Sequence, residues 1–303
     1  MLYLHICMPS KRMMETFISM TRKSMPQDEH KFIFWDTCYE NDLCLLDYGN
    51  VAALNNYSIK KRRKIMYEEF KKADVLVWHG LILSGRQILM LYLNPSFCKK
   101  SVWIVHGIDM YNYVRNSKGF KSSFLNHINY SVRKSMPYVV CLTEDDAKIY
   151  KSKFGSCKQL YVIPKPISAD VFEQFLPLRN AKDRLNNQLY IQVAHNAYTF
   201  NNHIPVMKSL LKFKDENIKL VIPLSYGNDW VNAQNNYINE VIKFAKSAFS
   251  NKAECINKLM PQDEYNNLLW NVDVGVFGAT RQNAMGNILR LLLVGNKVFL
   301  PSD

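Results

Sequence analysis

Short apolar runs alternate with longer segments of helical periodicity along the whole chain. In the first half, residues 2–7, 31–36, 43–47, 74–79, 101–106, 138–142 and 160–163 have the composition of strands. Residues 11–23, 58–72, 85–93 and 120–135 predict helices between them. Thr143 N-caps a further helix, with Asp146 three residues on in place of the usual Glu or Gln. Asp145 and Asp146 therefore read as first-turn acids that suit a helix dipole, not as metal ligands. Pro164-Lys165-Pro166 blocks helix continuation and opens a polar stretch containing Pro177. The second half begins afresh, with strands at 189–194, 219–223, 253–259, 272–277 and 297–300. Its helices fall at 203–214, 235–249 and 263–270, and another begins near Ala284. Near-continuous apolar strands alternating with helices predict parallel sheets covered on both faces. The expected fold is α/β, with two Rossmann-like doubly wound domains at 1–165 and 189–303 and a linker at 166–188. The chain stops at Pro301-Ser302-Asp303 just after a strand, so the second domain reads as incomplete at its end.

Length agrees with this division, since 303 residues exceed a typical single core. A hydrophobic content of 48% with 13% aromatics belongs to a globular chain. No segment approaches the roughly 18–20 uninterrupted apolar residues of a membrane span. The N-terminal Met-Leu-Tyr-Leu-His-Ile-Cys lacks the basic region and cleavage site of a signal peptide and reads as a first strand. Seven cysteines, none in a Cys-x-x-Cys pair, suit reduced thiols in a cytoplasmic protein. A P-loop, Gly-x-Gly-x-x-Gly, His-Glu-x-x-His and Gly-x-Ser-x-Gly are all missing, which removes support for kinase, dehydrogenase, zinc protease and hydrolase readings.

Charge changes the picture once it is divided. The net charge is +13, and residues 1–165 hold 25 Lys and Arg against 14 Asp and Glu. The first half is thus expected to face an anionic partner, either nucleic acid or the anionic inner face of a membrane. A solvated basic surface without a partner is the plain alternative.

The most informative stretch is 275–294. An apolar strand runs into a turn carrying Arg281, Gln282 and Asn283, and a helix follows with Gly286 in its first turn. Such a joint offers free backbone N–H groups, a positive dipole end and an arginine fork to a phosphate. An ordinary βα turn with a surface arginine is the competing reading. On parallel sheets ligands bind past the carboxyl ends of strands. His79 and Asp109 lie just past strand ends and are candidates on topology alone.

The residues His79-Gly80, Gly107-Ile-Asp109-Met-Tyr111, Val193-Ala-His-Asn196, Asn201-Asn-His203, Lys219-Leu-Val-Ile-Pro223 and Arg281-Gln282 with Gly286 carry a resemblance. From about residue 75 to 303 the chain resembles the 4-acetamido-4,6-dideoxygalactose transferase family of enterobacterial common antigen synthesis. That family's Gly-Asn-Ser-Gly-Asp loop, which lies beside the donor in such folds, appears here as Ala194-His-Asn-Ala-Tyr198.

The resemblance implies the GT-B architecture, two Rossmann-like domains facing a cleft, with the nucleotide sugar in the second and the acceptor in the first. It implies an inverting glycosyltransferase with a dTDP- or UDP-type donor as substrate and no cofactor. The acceptor is an undecaprenyl-diphosphate-linked saccharide, and the enzyme is cytoplasmic and peripheral on the inner face of the plasma membrane. Arg281 is assigned to the leaving diphosphate without a metal, Gln282 to a hydrogen bond and Gly286 to close backbone approach. Asn287, Asn196, Asn201 and His203 are expected to line the donor. Asp109 is the expected base for the acceptor hydroxyl, with His79 as runner-up. Lys60, Lys61, Arg62, Arg63, Lys64, Lys118, Lys121, Arg133 and Lys134 are expected to face the acceptor and membrane. A nucleic-acid partner is not expected, because the basic residues are not interleaved with a known binding motif. A different nucleotide sugar, or a non-catalytic nucleotide- or glycan-binding scaffold, stands as the alternative.

Overall fold

Strands that are apolar on both faces must be covered on both faces, and parallel pairing with helical crossovers does this. The computed structural model describes residues 1–7, 11–25, 29–35, 49–111, 120–164, 173, 187–225, 227, 232–280 and 283–302. They form two compact units, Met1–Pro166 and Ile167–Asp303.

The first unit runs β1 (Leu2–Cys7), α1 (Lys11–Ser24), β2 (Glu29–Phe34), β3 (Val51–Ala53), α2 (Ile59–Lys72), β4 (Val75–His79), α3 (Gly85–Leu93), α4 (Pro95–Lys99), β5 (Ser101–Ile104), α5 (Ile108–Tyr111), α6 (Phe120–Lys134), β6 (Tyr138–Cys141), α7 (Glu144–Phe154) and β7 (Gln159–Val162). Its sheet has the order β3-β2-β1-β4-β5-β6-β7, with every pairing parallel. Alternation along β1 divides the core. Leu4 and Ile6 join the larger cluster with Phe70, Trp78 and Trp103. Cys7 joins Met14, Ile18, Phe32 and Phe34. Trp78 Nε1 donates to Ser101 Oγ at 2.9 Å and Trp103 Nε1 to Asp109 Oδ2 at 2.6 Å, so neither buried indole loses its hydrogen bond. Thr143 Oγ1 accepts from Asp146 N, as the capping pattern predicts.

The second unit runs β8 (Leu189–Val193), α8 (His203–Leu210), β9 (Ile218–Pro223), α9 (Asn232–Phe249), β10 (Ala253–Ile256), α10 (Gln262–Asn271), β11 (Val274–Val276), α11 (Met285–Leu293) and β12 (Lys297–Phe299). Its order, β10-β9-β8-β11-β12, repeats the β3-β2-β1-β4-β5 arrangement of the first. Gly275 lets α11 close onto β11, because a Cβ there would lie 2.6 Å from Leu291 Cδ1.

The two units open with the same clasp. Asp74, just before β4, accepts from Leu2 N at 2.8 Å through Oδ2 and donates its own N–H to Leu2 O at 3.0 Å. Asp273, just before β11, accepts from Tyr190 N at 2.9 Å and donates to Tyr190 O at 2.9 Å. In both sheets the strand order reverses beside the first strand, which places the switch points at β1/β4 and β8/β11.

The predicted strand at 43–47 lies outside the described residues, and the edge is instead made by Val51–Ala53. Most of the expected linker also lies outside them. The helix expected at 203–214 ends at Leu210 and tightens into a 3₁₀ turn, Leu211–Phe213.

Candidate functional site

At the first switch point, β4 ends in His79 and turns at Gly80 (φ 83°). Two residues past β5 comes His106, followed by a matching left-handed Gly107 (φ 84°). A side chain at either glycine would be strained. The second turn presents Asp109, only 3% exposed. Its Oδ2 accepts from Leu81 N at 2.8 Å and Trp103 Nε1 at 2.6 Å, and its Oδ1 accepts from His106 N at 3.0 Å. These bonds knit the loop after β4 to the loop after β5. Asp109, the expected base, thus holds the two loops together, and the role of base is taken up again below with His79. Three N–H donors on its two oxygens make Asp109 a brace, with one lone pair of Oδ1 left over.

Arg133 also departs from expectation. It does not face a membrane, being 2% exposed. Its Nε donates to Asp109 O at 3.0 Å, Nη2 to Leu81 O at 2.7 Å, and Nη1 to Asn129 Oδ1 at 2.9 Å. The same two loops are thus held from behind.

His79, 3% exposed, ends a chain that the sequence does not announce. Its Nε2 lies 3.1 Å from His5 Nδ1, and His5 Nε2 lies 2.9 Å from His30 Nδ1. Three strands supply these histidines, so only sheet order brings them together. Phe17 of α1 closes the chain edge-on to His79, with ring centroids 4.5 Å apart. Burial holds His79 well below the usual imidazole range, helped by the positive charges that His5 and His106 would carry. Burial likewise pushes His5 down to about 3.

The basic run at the start of α2 divides. Lys60, Lys61 and Lys64 are exposed, whereas Arg62 and Arg63 are half-buried. Lys134 on α6 is exposed, Lys118 lies outside the described residues, and nothing is assigned to the Lys121 side chain. No helix among the described residues is long and apolar enough to cross a membrane.

At the second switch point the loop after β8 is held by its own amides. Asn201 Nδ2 donates to Asn196 Oδ1 at 2.5 Å and to Asn196 O at 3.1 Å. Asn283 Nδ2 donates to Asn201 Oδ1 at 2.8 Å, and Asn202 Nδ2 to Gly278 O at 2.8 Å. The loops after β8 and β11 are thereby joined. Gly278 is required at that approach, because a Cβ would meet Val206 Cγ2 at 2.5 Å. His203 Nδ1 lies 2.9 Å from Tyr237 OH, and burial lowers the ring to about 4. Asn196, Asn201 and His203 are therefore brought together, but at 2%, 1% and 0% exposure they shape the loop from within. Asn283, which the sequence placed in the turn without a task, and Tyr237, which sequence reasoning missed, complete the network.

Ala194, where the resemblance places glycine, takes a left-handed φ of 57°. This stores roughly 1 kcal/mol of strain in the loop. Ala284 precedes α11 at φ 59°, and no side-chain cap bond is made to that helix among the described residues. Its first-turn N–H groups face the same switch point. Gly286 is in this turn, while Asn287 Nδ2 turns away to donate to Tyr265 OH at 2.7 Å. Arg281 and Gln282 lie outside the described residues, but their flanks are tied. Thr280 N donates to Phe200 O at 3.2 Å, and Asn283 bonds Asn201.

Comparison with known proteins matches this arrangement. The model of the family described as 4-alpha-L-fucosyltransferase, glycosyl transferase group 56, matches residues 12–300. A glycosyltransferase from Rickettsia africae superposes with TM-score 0.65 at 15% identity, covering 99% of this chain and 78% of that one. A UDP-forming trehalose-phosphate synthase from Burkholderia xenovorans gives 0.61 at 10% identity, covering 99% and 83%. An E. coli trehalose-6-phosphate protein bound with UDP-2-fluoro glucose gives 0.60 at 10% identity with the same coverage. At such identities the structures speak to the fold, and the family model speaks to the chemistry. Two parallel Rossmann-type sheets, a switch point in each and a family match along nearly the whole length lead to one conclusion: the chain belongs to the 4-alpha-L-fucosyltransferase group 56 family and is a glycosyltransferase of GT-B fold.

Proposed function

We propose that this glycosyltransferase moves a deoxyamino sugar from a dTDP-type nucleotide diphosphate to a lipid-linked saccharide, with inversion and without a metal, in bacterial surface polysaccharide synthesis. The observation that carries this reading is the uncapped N-terminus of α11 at the second switch point. Its N–H groups and dipole suit a diphosphate whose charge grows as the sugar leaves. Arg281 and Gln282, two residues between tied neighbours, are assigned to the diphosphate oxygens. Gly286 leaves room for the Arg290 guanidinium, whose Nη1 donates to Gly286 O at 3.0 Å and would lie 3.2 Å from a Cβ there. The Asn196–Asn201–Asn283 network holds this surface in shape.

In the first unit, His79 is assigned as the base for the acceptor hydroxyl. Burial keeps the ring neutral at pH 7, the form that accepts a proton, and also weakens it as a base, so the assignment rests on its place at the switch point. The His5 contact fixes its orientation. The exposed Lys60, Lys61, Lys64 and Lys134 suit an anionic cytoplasmic membrane face, each contributing on the order of 1 kcal/mol. Co-sedimentation with anionic liposomes is expected at low salt and is expected to vanish at high salt. Failure to sediment at low salt would remove the membrane from this reading.

The donor is tested by thermal shift with dTDP, UDP, GDP and CMP. dTDP is expected to raise the midpoint most, since a ligand at 100 times its Kd stabilises by about 2.7 kcal/mol. Arg281→Ala is expected to weaken that binding by roughly 1.5–3 kcal/mol, the range for a charged hydrogen bond. A flat panel would count against donor binding by this chain.

A further inference from the structure

A cavity of ≈ 290 Å³ in the first unit is lined by Trp35, Ile59, Arg62, Arg63, Ser84 and Arg86, with Gln87. All of these lie past the carboxyl ends of β2, β3 and β4, the edge where parallel sheets take ligands. Trp35 follows β2 directly. Ile59, Arg62 and Arg63 belong to the first turns of α2, whose N-cap is Ser58. Ser84 caps α3 and accepts its place from Gln87, whose Oε1 takes Ser84 N–H at 2.6 Å. Two helix N-termini and three arginines thus converge on one hollow.

The arginines have separate tasks. Arg62 is a wall, its Nε donating to Tyr57 O at 2.7 Å and its Nη2 to Asn55 O at 2.5 Å. Arg63 and Arg86 make no ion pair among the described residues, and Arg86 is exposed. Two unpaired guanidinium forks over a hollow at helix N-termini match an anion with several oxygens, above all a phosphate or diphosphate. The surroundings are apolar as well. The lining includes Trp35 and Ile59, and Ile59 is 60% exposed. Apolar side chains on the rim of a basic hollow suit a diphosphate esterified to a hydrocarbon chain better than a free one.

We propose that this hollow binds the diphosphate of the lipid-linked acceptor through Arg63 and Arg86, with Ile59 and Trp35 against the first carbons of the lipid. The proposal rests on the lipid-linked acceptor proposed above. It also divides the basic run of α2 into lysines that meet a surface, Arg62 that walls the hollow and Arg63 that holds the ligand.

The test is Arg63→Ala/Arg86→Ala in the full chain, with both substrates titrated. The KM for a lipid-diphosphate-linked acceptor is expected to rise tenfold or more, while the KM for the nucleotide sugar stays within twofold. Neither arginine has an ion pair among the described residues, so the melting midpoint of the variant should match the parent. An unchanged acceptor KM would overturn the proposal, as would an equal loss for both substrates. Binding is also measured by thermal shift with inorganic pyrophosphate, and by flotation with vesicles carrying a lipid diphosphate, a lipid monophosphate or phosphatidylglycerol alone. Arginine-dependent retention on lipid-diphosphate vesicles alone supports the proposal. Pyrophosphate binding without that preference overturns the lipid assignment. If the parent chain turns over no lipid-linked acceptor yet loses lipid-diphosphate binding on substitution, the acceptor reading fails while the binding site stands.

Discussion

Asp109→Asn is expected to lower the stability of the first unit by about 3 kcal/mol, the sum of a lost charged hydrogen bond and a buried donor left facing another donor. Asparagine keeps one acceptor oxygen. If that oxygen serves Leu81 N and Trp103 Nε1, the new amide meets His106 N–H, which Asp109 Oδ1 now accepts. The midpoint should fall by roughly 10 °C for a unit of this size. Residual activity should follow the folded fraction. His79→Gln separates the two roles. Glutamine can keep the contact to His5 Nδ1, so the fold should survive, whereas kcat should fall on the order of 10²–10⁴-fold if His79 takes the acceptor proton. Urea unfolding and steady-state kinetics on both variants decide the matter. An Asp109→Asn protein with parental stability and no turnover would return the base to Asp109. A His79→Gln protein with parental kcat would remove His79.

Acid is expected to unfold both units, and the sign follows from the buried histidines. Burial, aided by neighbouring histidine charge, pushes His5 and His195 down to about 3, and burial lowers His203 to about 4. In the unfolded chain each returns to about 6.5. Between these values the unfolded state binds more protons, so stability rises with pH. The contribution is complete above about pH 6.5 and is lost as the pH falls toward 4. Each histidine gives a slope of about 1.4 kcal/mol per pH unit. His195 and His203 together would remove about 4 kcal/mol from the second unit between pH 7 and 5, a large part of a typical domain's 5–15 kcal/mol. Urea midpoints measured from pH 7.5 to 4.5 should show this slope, and His203→Gln should flatten it by about one histidine. A pH-independent midpoint in that window would refute the assignment.

The alternating plan of the fold was legible because each strand is a short apolar run and each helix carries its own face. Thr143 could be read as a cap because capping is local. The sites were less legible because their contacts are not local. Nothing in the surroundings of His5, His30 or His79 announces a chain, since their ring contacts span 25 and 74 positions. Arg133 resembles any basic residue in the last turn of a surface helix, and only the carbonyls of Leu81 and Asp109 show it turned inward. Asp109 was found by topology, which marks the ligand edge of a sheet but cannot separate a reacting group from the brace behind it.

The paired aspartates at the opposite edge have a consequence for that ligand edge. Slipping one strand by a single residue shifts it about 3.3 Å and turns every side chain to the other face. In sheets apolar on both faces, hydrophobicity resists such a slip only weakly. Asp74 and Asp273 tie each central strand pair by its first residues, so the alignment is indexed from the end remote from chemistry. The reach of His79, and the point where Ala194 leaves β8, are therefore set by carboxylates that need never meet a substrate. Neutralising either should disperse the positions of the reacting groups before it unfolds the sheet.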